Sequence, residues 1–370
     1  MGKIKVLIVD DSSFLRKIMK KIMNESGKIE VVGEASNGKE AVEKAAELKP
    51  DIITLDINMP VMSGLEALEI IMKENPIPII MVSSLTTEDA EVTFEALEKG
   101  AVEFFPKQAK DFKANIKSIR DELIPKIENI ARKKRLFGFP FGSTTSVGRK
   151  PSIEKVVKKE HEKTKARQKE VIIKEPIEFV VVGASTGGPN ALQTLLTSLP
   201  ADFPAGIIIS QHMPATFTGA FADRMDRYSN VQVKEAKTGD KVEKGVVLIT
   251  PGGQHMYLKK HRAGAPEVVI SEEPKTAIYK PSVTIMAKSV AENYTKRTVG
   301  VMLTGMGSDG KDGFIEMKKR NRAVVIAQNE ESCVVYGMPK AVVDAGIADY
   351  VLDIKDIAPT LDKIIRGKKS

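Results

Sequence analysis

Phe179-Val-Val-Val-Gly183-Ala-Ser185-Thr186-Gly187-Gly188-Pro189, followed by an amphipathic stretch over 190–199, decides the fold. Three valines behind a phenylalanine read as a strand that is apolar on both faces, as strands buried in parallel sheets are. The glycines then turn the chain sharply, and Pro189 suits the first turn of a helix. Strand, tight turn and helix in that order form the repeating unit of an α/β domain with a mostly parallel sheet. The turn also reads Gly-x-Ser-x-Gly, which exposes a serine hydroxyl beside helix-start amides able to stabilise an oxyanion. Ser185 is therefore a candidate nucleophile. Glycine-rich turns after a first strand also cradle phosphates in dinucleotide-binding folds, although the Gly-x-Gly-x-x-Gly spacing is absent here.

A nucleophilic serine needs a base, and the chain has four histidines: His161, His212, His255 and His261. His161 falls in a lysine-rich stretch that reads as a tether. His212 follows a second buried-strand run at 206–210, in Gln211-His-Met-Pro, so it projects from the same sheet edge as Ser185. His255 follows the run at 246–250 and a Pro-Gly-Gly turn, which suits a supporting or substrate-contacting group. The run at 299–303 leads into Thr304-Gly-Met-Gly-Ser-Asp309-Gly, making Asp309 the candidate acid and Asp312 its spare. In such a triad His212 takes the Ser185 proton and returns it to the leaving group, while Asp309 fixes the imidazole tautomer. The chain order Ser, His, Asp differs from Ser, acid, His, so the usual α/β-hydrolase family is not implied.

Working outward, 370 residues suit two domains and a connector. The net charge of +8 is uneven: residues 1–125 carry 17 basic against 22 acidic side chains, 126–174 carry 15 against 5, and 175–370 carry 25 against 22. The basic excess thus lies in a tether with Gly and Pro, open to salt-sensitive attraction to acidic partners or anionic lipid headgroups. Without a helix-turn-helix output in view, it argues against a DNA-binding regulator. No apolar run approaches a membrane span, and the apolar run at 6–9 leaves no room for an export signal before it, so a cytoplasmic protein is expected. The lone Cys333 reads as a small buried hydrophobe.

Over 1–125, apolar runs at 6–9, 30–34, 52–55, 79–82 and 102–105 alternate with amphipathic helical stretches, predicting a doubly wound parallel sheet. Asp10 and Asp11 follow the first run and Asp56 the third, so three carboxylates converge on one sheet edge. Their repulsion calls for a hard cation with oxygen ligands, for which Mg²⁺ is suited. Ser83 and Lys107 add a hydroxyl and a cation at the same edge, completing a set able to hold a phosphoryl group.

Leu7-Ile-Val-Asp-Asp-Ser, Leu55-Asp-Ile-Asn-Met-Pro and Met81-Val-Ser-Ser-Leu-Thr resemble the response-regulator receiver family, whose fold is flavodoxin-like. The resemblance implies Asp56 as phospho-acceptor, Asp10 and Asp11 as Mg²⁺ ligands with it, Ser83 as switch hydroxyl, Phe104 as switch aromatic and Lys107 as phosphate-pairing lysine. One departure is Phe105-Pro106-Lys107-Gln108, where the proline precedes the lysine instead of following it. Gly183-Ala-Ser-Thr-Gly-Gly-Pro, Gln211-His-Met-Pro, Thr304-Gly-Met-Gly-Ser-Asp-Gly and Cys333-Val-Val-Tyr-Gly-Met-Pro resemble the catalytic domain of chemotaxis protein-glutamate methylesterases, which has a Rossmann-like core. That resemblance implies demethylation of chemoreceptors, glutamine deamidation there, Thr186 and the Met306 amide at the substrate or oxyanion, and a chemotaxis histidine kinase as phosphodonor. It implies no cofactor for the esterase reaction, no nucleic-acid partner, and at most peripheral recruitment to receptor arrays without membrane insertion. Departures occur at Lys280 and Thr284 of Lys280-Pro-Ser-Val-Thr284, at Gly253, and at Arg320-Asn-Arg322. The expected organisation is a receiver at 1–125, a basic linker at 126–174 and a methylesterase domain at 175–370, with the receiver restricting access to Ser185 until Asp56 is phosphorylated. The competing expectation is a phosphorylation-dependent binding adaptor whose hydrolase domain is inactive.

Overall fold

The first four helices of the N-terminal unit each start where a short polar side chain can cap them. Ser12, Asn37, Ser63 and Thr86 accept the amides of Leu15, Glu40, Glu66 and Asp89, and Ser63 and Glu66 form a reciprocal capping box. The elements run β1 (Ile4–Val9), α1 (Ser13–Glu25), β2 (Ile29–Ala35), α2 (Gly38–Leu48), β3 (Ile52–Asp56), α3 (Gly64–Glu74), β4 (Ile79–Ser84), α4 (Thr87–Glu98) and β5 (Glu103–Lys107). The computed structural model describes residues 2–107, 116–137, 177–259 and 265–367, and these fall into two units, Met1–Thr144 and Thr145–Ser370.

All strands of the first unit pair in parallel, in the order β2-β1-β3-β4-β5. The chain reverses its winding between β1 and β3, and a crevice opens beyond the carboxyl ends of strands flanking such a point. Asp10, Asp11 and Asp56 lie at those ends. The doubly wound parallel sheet read from the sequence is therefore the one observed.

The first unit continues past residue 125. A π-helical turn, Ile119–Leu123, runs into α5 (Ile124–Phe137), so residues 126–137 of the expected tether are helical. Ile119, Leu123, Ile127, Ile130 and Ala131 are buried, while Lys126 pairs with Glu103 and Lys134 donates to the carbonyls of Pro50 and Asp51. Apolar residues at 119, 123, 127 and 130 carry helical spacing, a signal masked by the basic residues among them. The remainder of the expected linker, with His161, lies outside the described residues, as do His261 and Gln108.

The second unit is built from β6 (Phe179–Ala184), α6 (Gly188–Thr197), β7 (Gly206–Gln211), α7 (Ala215–Tyr228), β8 (Gln232–Glu235), β9 (Val246–Ile249), β10 (His255–Leu258), β11 (Val268–Ser271), α8 (Val283–Asn293), β12 (Val299–Met302), α9 (Lys311–Asn321), β13 (Val324–Gln328), α10 (Met338–Asp344), β14 (Tyr350–Leu352) and α11 (Ile354–Arg366). Seven strands pair in parallel in the order β14-β13-β12-β6-β7-β9-β8, and β10 and β11 form a separate antiparallel hairpin. From β6 the chain builds outward through β7 on one side and later through β12 on the other, making β6 the switch point.

Among the described residues, no helix is long and apolar enough to cross a membrane. Cys333 is buried, as its small apolar character suggests. Phe314 of α9 is fully buried in a cluster with Val283, Met286 and Met302, and its ring covers Gly300 of β12. Phe314→Ala should destabilise the second unit by about 3–5 kcal/mol through the cavity it leaves. Urea unfolding followed by circular dichroism measures the loss, and an unchanged midpoint would contradict this packing.

Candidate active site

Ser185 follows β6, His212 follows β7 and Asp309 lies in the loop after β12, so three adjacent parallel strands bring their carboxyl ends to one place. His212 Nδ1 stands 3.1 Å from Ser185 Oγ, and its Nε2 stands 2.9 Å from Asp309 Oδ2. A carboxylate only accepts, so Nε2 carries the proton toward Asp309 and Nδ1 is left to accept the Ser185 hydroxyl hydrogen. The spare acid, Asp312, is exposed and paired with Lys311, whereas Asp309 is 9% exposed.

A carboxylate at that depth needs donors. Besides His212, Asp309 accepts from Ser282 Oγ at 3.0 Å, the Val283 amide at 2.7 Å, the Thr284 amide at 3.0 Å and the Gly310 amide at 3.0 Å. Burial raises its pKa, but the His212 hydrogen bond and charge and the Thr284 contacts outweigh it and hold the carboxyl well below the usual carboxylate range. Ser282, Val283 and Thr284 were not picked out by sequence reasoning as ligands of the acid. Ser282 just before an apolar helical run is a cap signal, however, and helix-start amides attract anions.

The turn that carries Ser185 is held from three sides. Gly187 sits at φ 73°, in the left-handed region that glycine enters without steric cost, and a Cβ there would strike Val334. Gln211 Nε2 donates to the carbonyls of both Ser185 and His212, tying the backbones at those two positions together. Thr304 Oγ1 donates to the Thr186 carbonyl at 2.9 Å, and its own carbonyl accepts the Ser185 amide. The Val334 and Val335 amides donate to Thr304 Oγ1, so the Cys333-to-Pro339 segment is fastened to the same turn. Thr186 is buried. Met306 is half-buried in the loop beside it, where a Cβ on Gly305 would stand 2.8 Å from Ser185 Cβ.

His255 is fully buried. Its Nδ1 accepts the Ser282 amide at 3.2 Å, and burial followed by the charge of Lys280 lowers its pKa, keeping the ring neutral. The departures from the resembled pattern also have places. Thr284 Oγ1 accepts the Gly310 amide, the Lys280 carbonyl accepts the Gly253 amide, and Arg322 ends α9 at φ 53°, where a small residue is the easier choice.

In the first unit, Asp10, Asp11 and Asp56 offer carboxylate oxygens within 4.8 Å of one another, an all-oxygen donor set that fits a hard divalent cation such as Mg²⁺. Lys107 Nζ lies 2.8 Å from Asp10 Oδ2 and 2.6 Å from Asp56 Oδ2, so the displaced proline does not take the lysine from this edge. Burial pushes Asp56 up to about 6 against the pull of Lys107. Burial opposes the Lys107 charge, yet Asp10 and Asp56 raise its pKa overall. Ser83 Oγ accepts from Thr93 Oγ1 at 2.9 Å and donates to the Ser84 carbonyl. Phe104 is buried edge-on to Phe94, with ring centroids 6.5 Å apart.

The lowered Asp309 pKa has a sign that can be checked. Native Asp309 binds fewer protons than the unfolded chain, so its contribution is present above the ordinary carboxylate range and is lost as pH falls through about 3.9 and below. Urea midpoints of the second unit should therefore fall less steeply with acid in Asp309→Asn than in the wild type, and equal slopes would contradict it.

The CheB methylesterase family profile matches residues 180–361, and the response regulator receiver domain profile matches residues 6–117. A protein-glutamate methylesterase/protein-glutamine glutaminase of Pyrococcus horikoshii is 41% identical over 369 residues, spanning 99% of this chain and 95% of its own. One of Lawsonia intracellularis is 43% identical over 361 residues, spanning 96% and 97%. The solved catalytic domain of the Thermotoga maritima CheB methylesterase is 40% identical, covering 51% of this chain and 100% of its own, with a TM-score of 0.49. With such relatives aligned across both units, the chain belongs to the protein-glutamate methylesterase/protein-glutamine glutaminase family, a receiver domain joined to a CheB methylesterase domain.

Proposed function

We propose that this chain hydrolyses methyl esters of glutamate side chains on chemoreceptors, deamidates glutamines there, and is switched on by phosphorylation of Asp56. The observation that carries the reading is the imidazole of His212 lying between Ser185 Oγ and a buried, five-donor carboxylate.

Ser185 Oγ attacks the ester carbonyl as its proton passes to His212 Nδ1, and Asp309 stabilises the resulting imidazolium through Nε2–H. Thr186 and the Met306 amide help bind the substrate or the oxyanion. Collapse of the tetrahedral intermediate breaks the carbon–oxygen bond, and His212 returns the proton to the departing methanol. Water then attacks the acyl-serine, His212 takes one of its protons, and that proton goes back to Ser185 Oγ as glutamate is freed. With a glutamine substrate the same steps release ammonia.

In the receiver, Asp56 accepts the phosphoryl group from a histidine kinase. Asp10, Asp11 and Asp56 would hold Mg²⁺, which neutralises phosphoryl oxygens when bound. Lys107 pairs with the phosphoryl group, and Ser83 turns its hydroxyl hydrogen from the Ser84 carbonyl to donate to it, which repacks the Phe104 face. That repacking relieves a restriction of access to Ser185. The presence of both a receiver match and a CheB methylesterase match on this one chain supports this coupling. A cytoplasmic setting, with peripheral recruitment to receptor arrays, accompanies the reading.

Methanol release from methylated chemoreceptor membranes tests it. Wild type should be activated by a small phosphodonor with Mg²⁺, Asp56→Asn should stay at its basal rate, and Ser185→Ala should fall by about 10³-fold or more. Methanol release by Ser185→Ala at the wild-type rate would overturn the reading, while release by neither protein would favour a binding adaptor.

A further inference from the structure

Tyr279 lies face to face with His212, ring centroids 4.5 Å apart and planes 7° from parallel. It is 38% exposed, whereas the His212 side chain is 13% exposed, so the tyrosine covers the base on a side open to solvent. The phenol oxygen is close to Gly307, where a Cβ would stand 3.2 Å from it. Gly307 immediately follows Met306 in the oxyanion loop.

The backbone around Tyr279 is anchored. The Lys280 carbonyl accepts the Gly253 amide, the Ser282 amide donates to the buried His255, and α8 begins at Val283. Along the same segment Ser282, Val283 and Thr284 hand three hydrogen bonds to Asp309. One continuous strap, 279–284, therefore meets two triad positions: it grips the acid by donors and the base by a ring face. An imidazole hydrogen-bonded at both nitrogens can still rock about the line joining them, and a parallel aromatic plate restricts that motion.

We infer that Tyr279 is a positioning residue for the base: its ring face holds the His212 imidazole in the plane shared with Ser185 and Asp309 and keeps water off that face. The inference rests on the proposed esterase reading and adds to it a residue that never touches the reacting bond. The face acts and the hydroxyl does not, so phenylalanine preserves the function while leucine, similar in bulk and without a planar face, does not.

Ser185-dependent hydrolysis of p-nitrophenyl acetate reads the chemistry without a receptor, and methylated receptor membranes supply KM alongside. Tyr279→Phe should stay within about twofold of wild type, and Tyr279→Leu and Tyr279→Ala should lose about tenfold in kcat, the range offset aromatic stacking supports. KM for receptor should change by less than about threefold, the pattern of a lost orienting contact. Thermal midpoints of all three variants distinguish a folding loss from a rate loss, and the exposed position of Tyr279 predicts that they stay close to wild type. Wild-type kcat in Tyr279→Ala, or equal losses in Phe and Ala variants, would overturn the inference and leave the esterase reading standing. Absence of Ser185-dependent turnover in the wild type would overturn both.

Discussion

A buried carboxylate stays charged only if enough donors replace the water it has lost, and the second unit supplies them to Asp309. The first turn of α8 provides three, Gly310 a fourth and His212 the fifth. Once that charge is fixed, the rest of the site is set by it. His212 must present Nε2–H to Asp309, which leaves Nδ1 as the acceptor for Ser185. His255 is placed behind the α8 cap, where a neutral acceptor for the Ser282 amide keeps the cap in register.

Strand order sets the remaining geometry. Because β6 is flanked by β7 and β12, three turns that are distant in sequence open side by side, and no long side chain has to bridge them. Gln211 and Thr304 fasten those turns to one another through backbone carbonyls. The receiver repeats the logic in simpler form. The carboxyl ends of β1 and β3 collect three acids, and a lysine from the end of β5 lies between two of them.

Much of this was legible in the sequence, for a physical reason. Strands buried on both faces read as unbroken apolar runs, and a parallel sheet gathers the residues after each run at one edge, so Ser185, His212, Asp309, Asp10, Asp56 and Lys107 could be placed from the sequence. Tyr279 could not, because a residue in an irregular strap has no periodicity to fix where its ring goes. Nor could the helix at 124–137, where Lys126 and Lys134 gave the appearance of a solvated tether although both are engaged by the first unit. The edge strands β8 and β14 were not legible either, since Gln232–Glu235 mixes polar residues into the strand and Tyr350–Leu352 is only three partly buried residues long.

The central claim is that one imidazole, held by a buried carboxylate, makes Ser185 nucleophilic. Labelling with a serine-directed fluorophosphonate, followed by peptide mass mapping, tests it most directly. The account predicts a single adduct on Ser185 that forms about 10³-fold more slowly in His212→Ala. An adduct elsewhere, or labelling of Ser185 that is indifferent to His212, would contradict it.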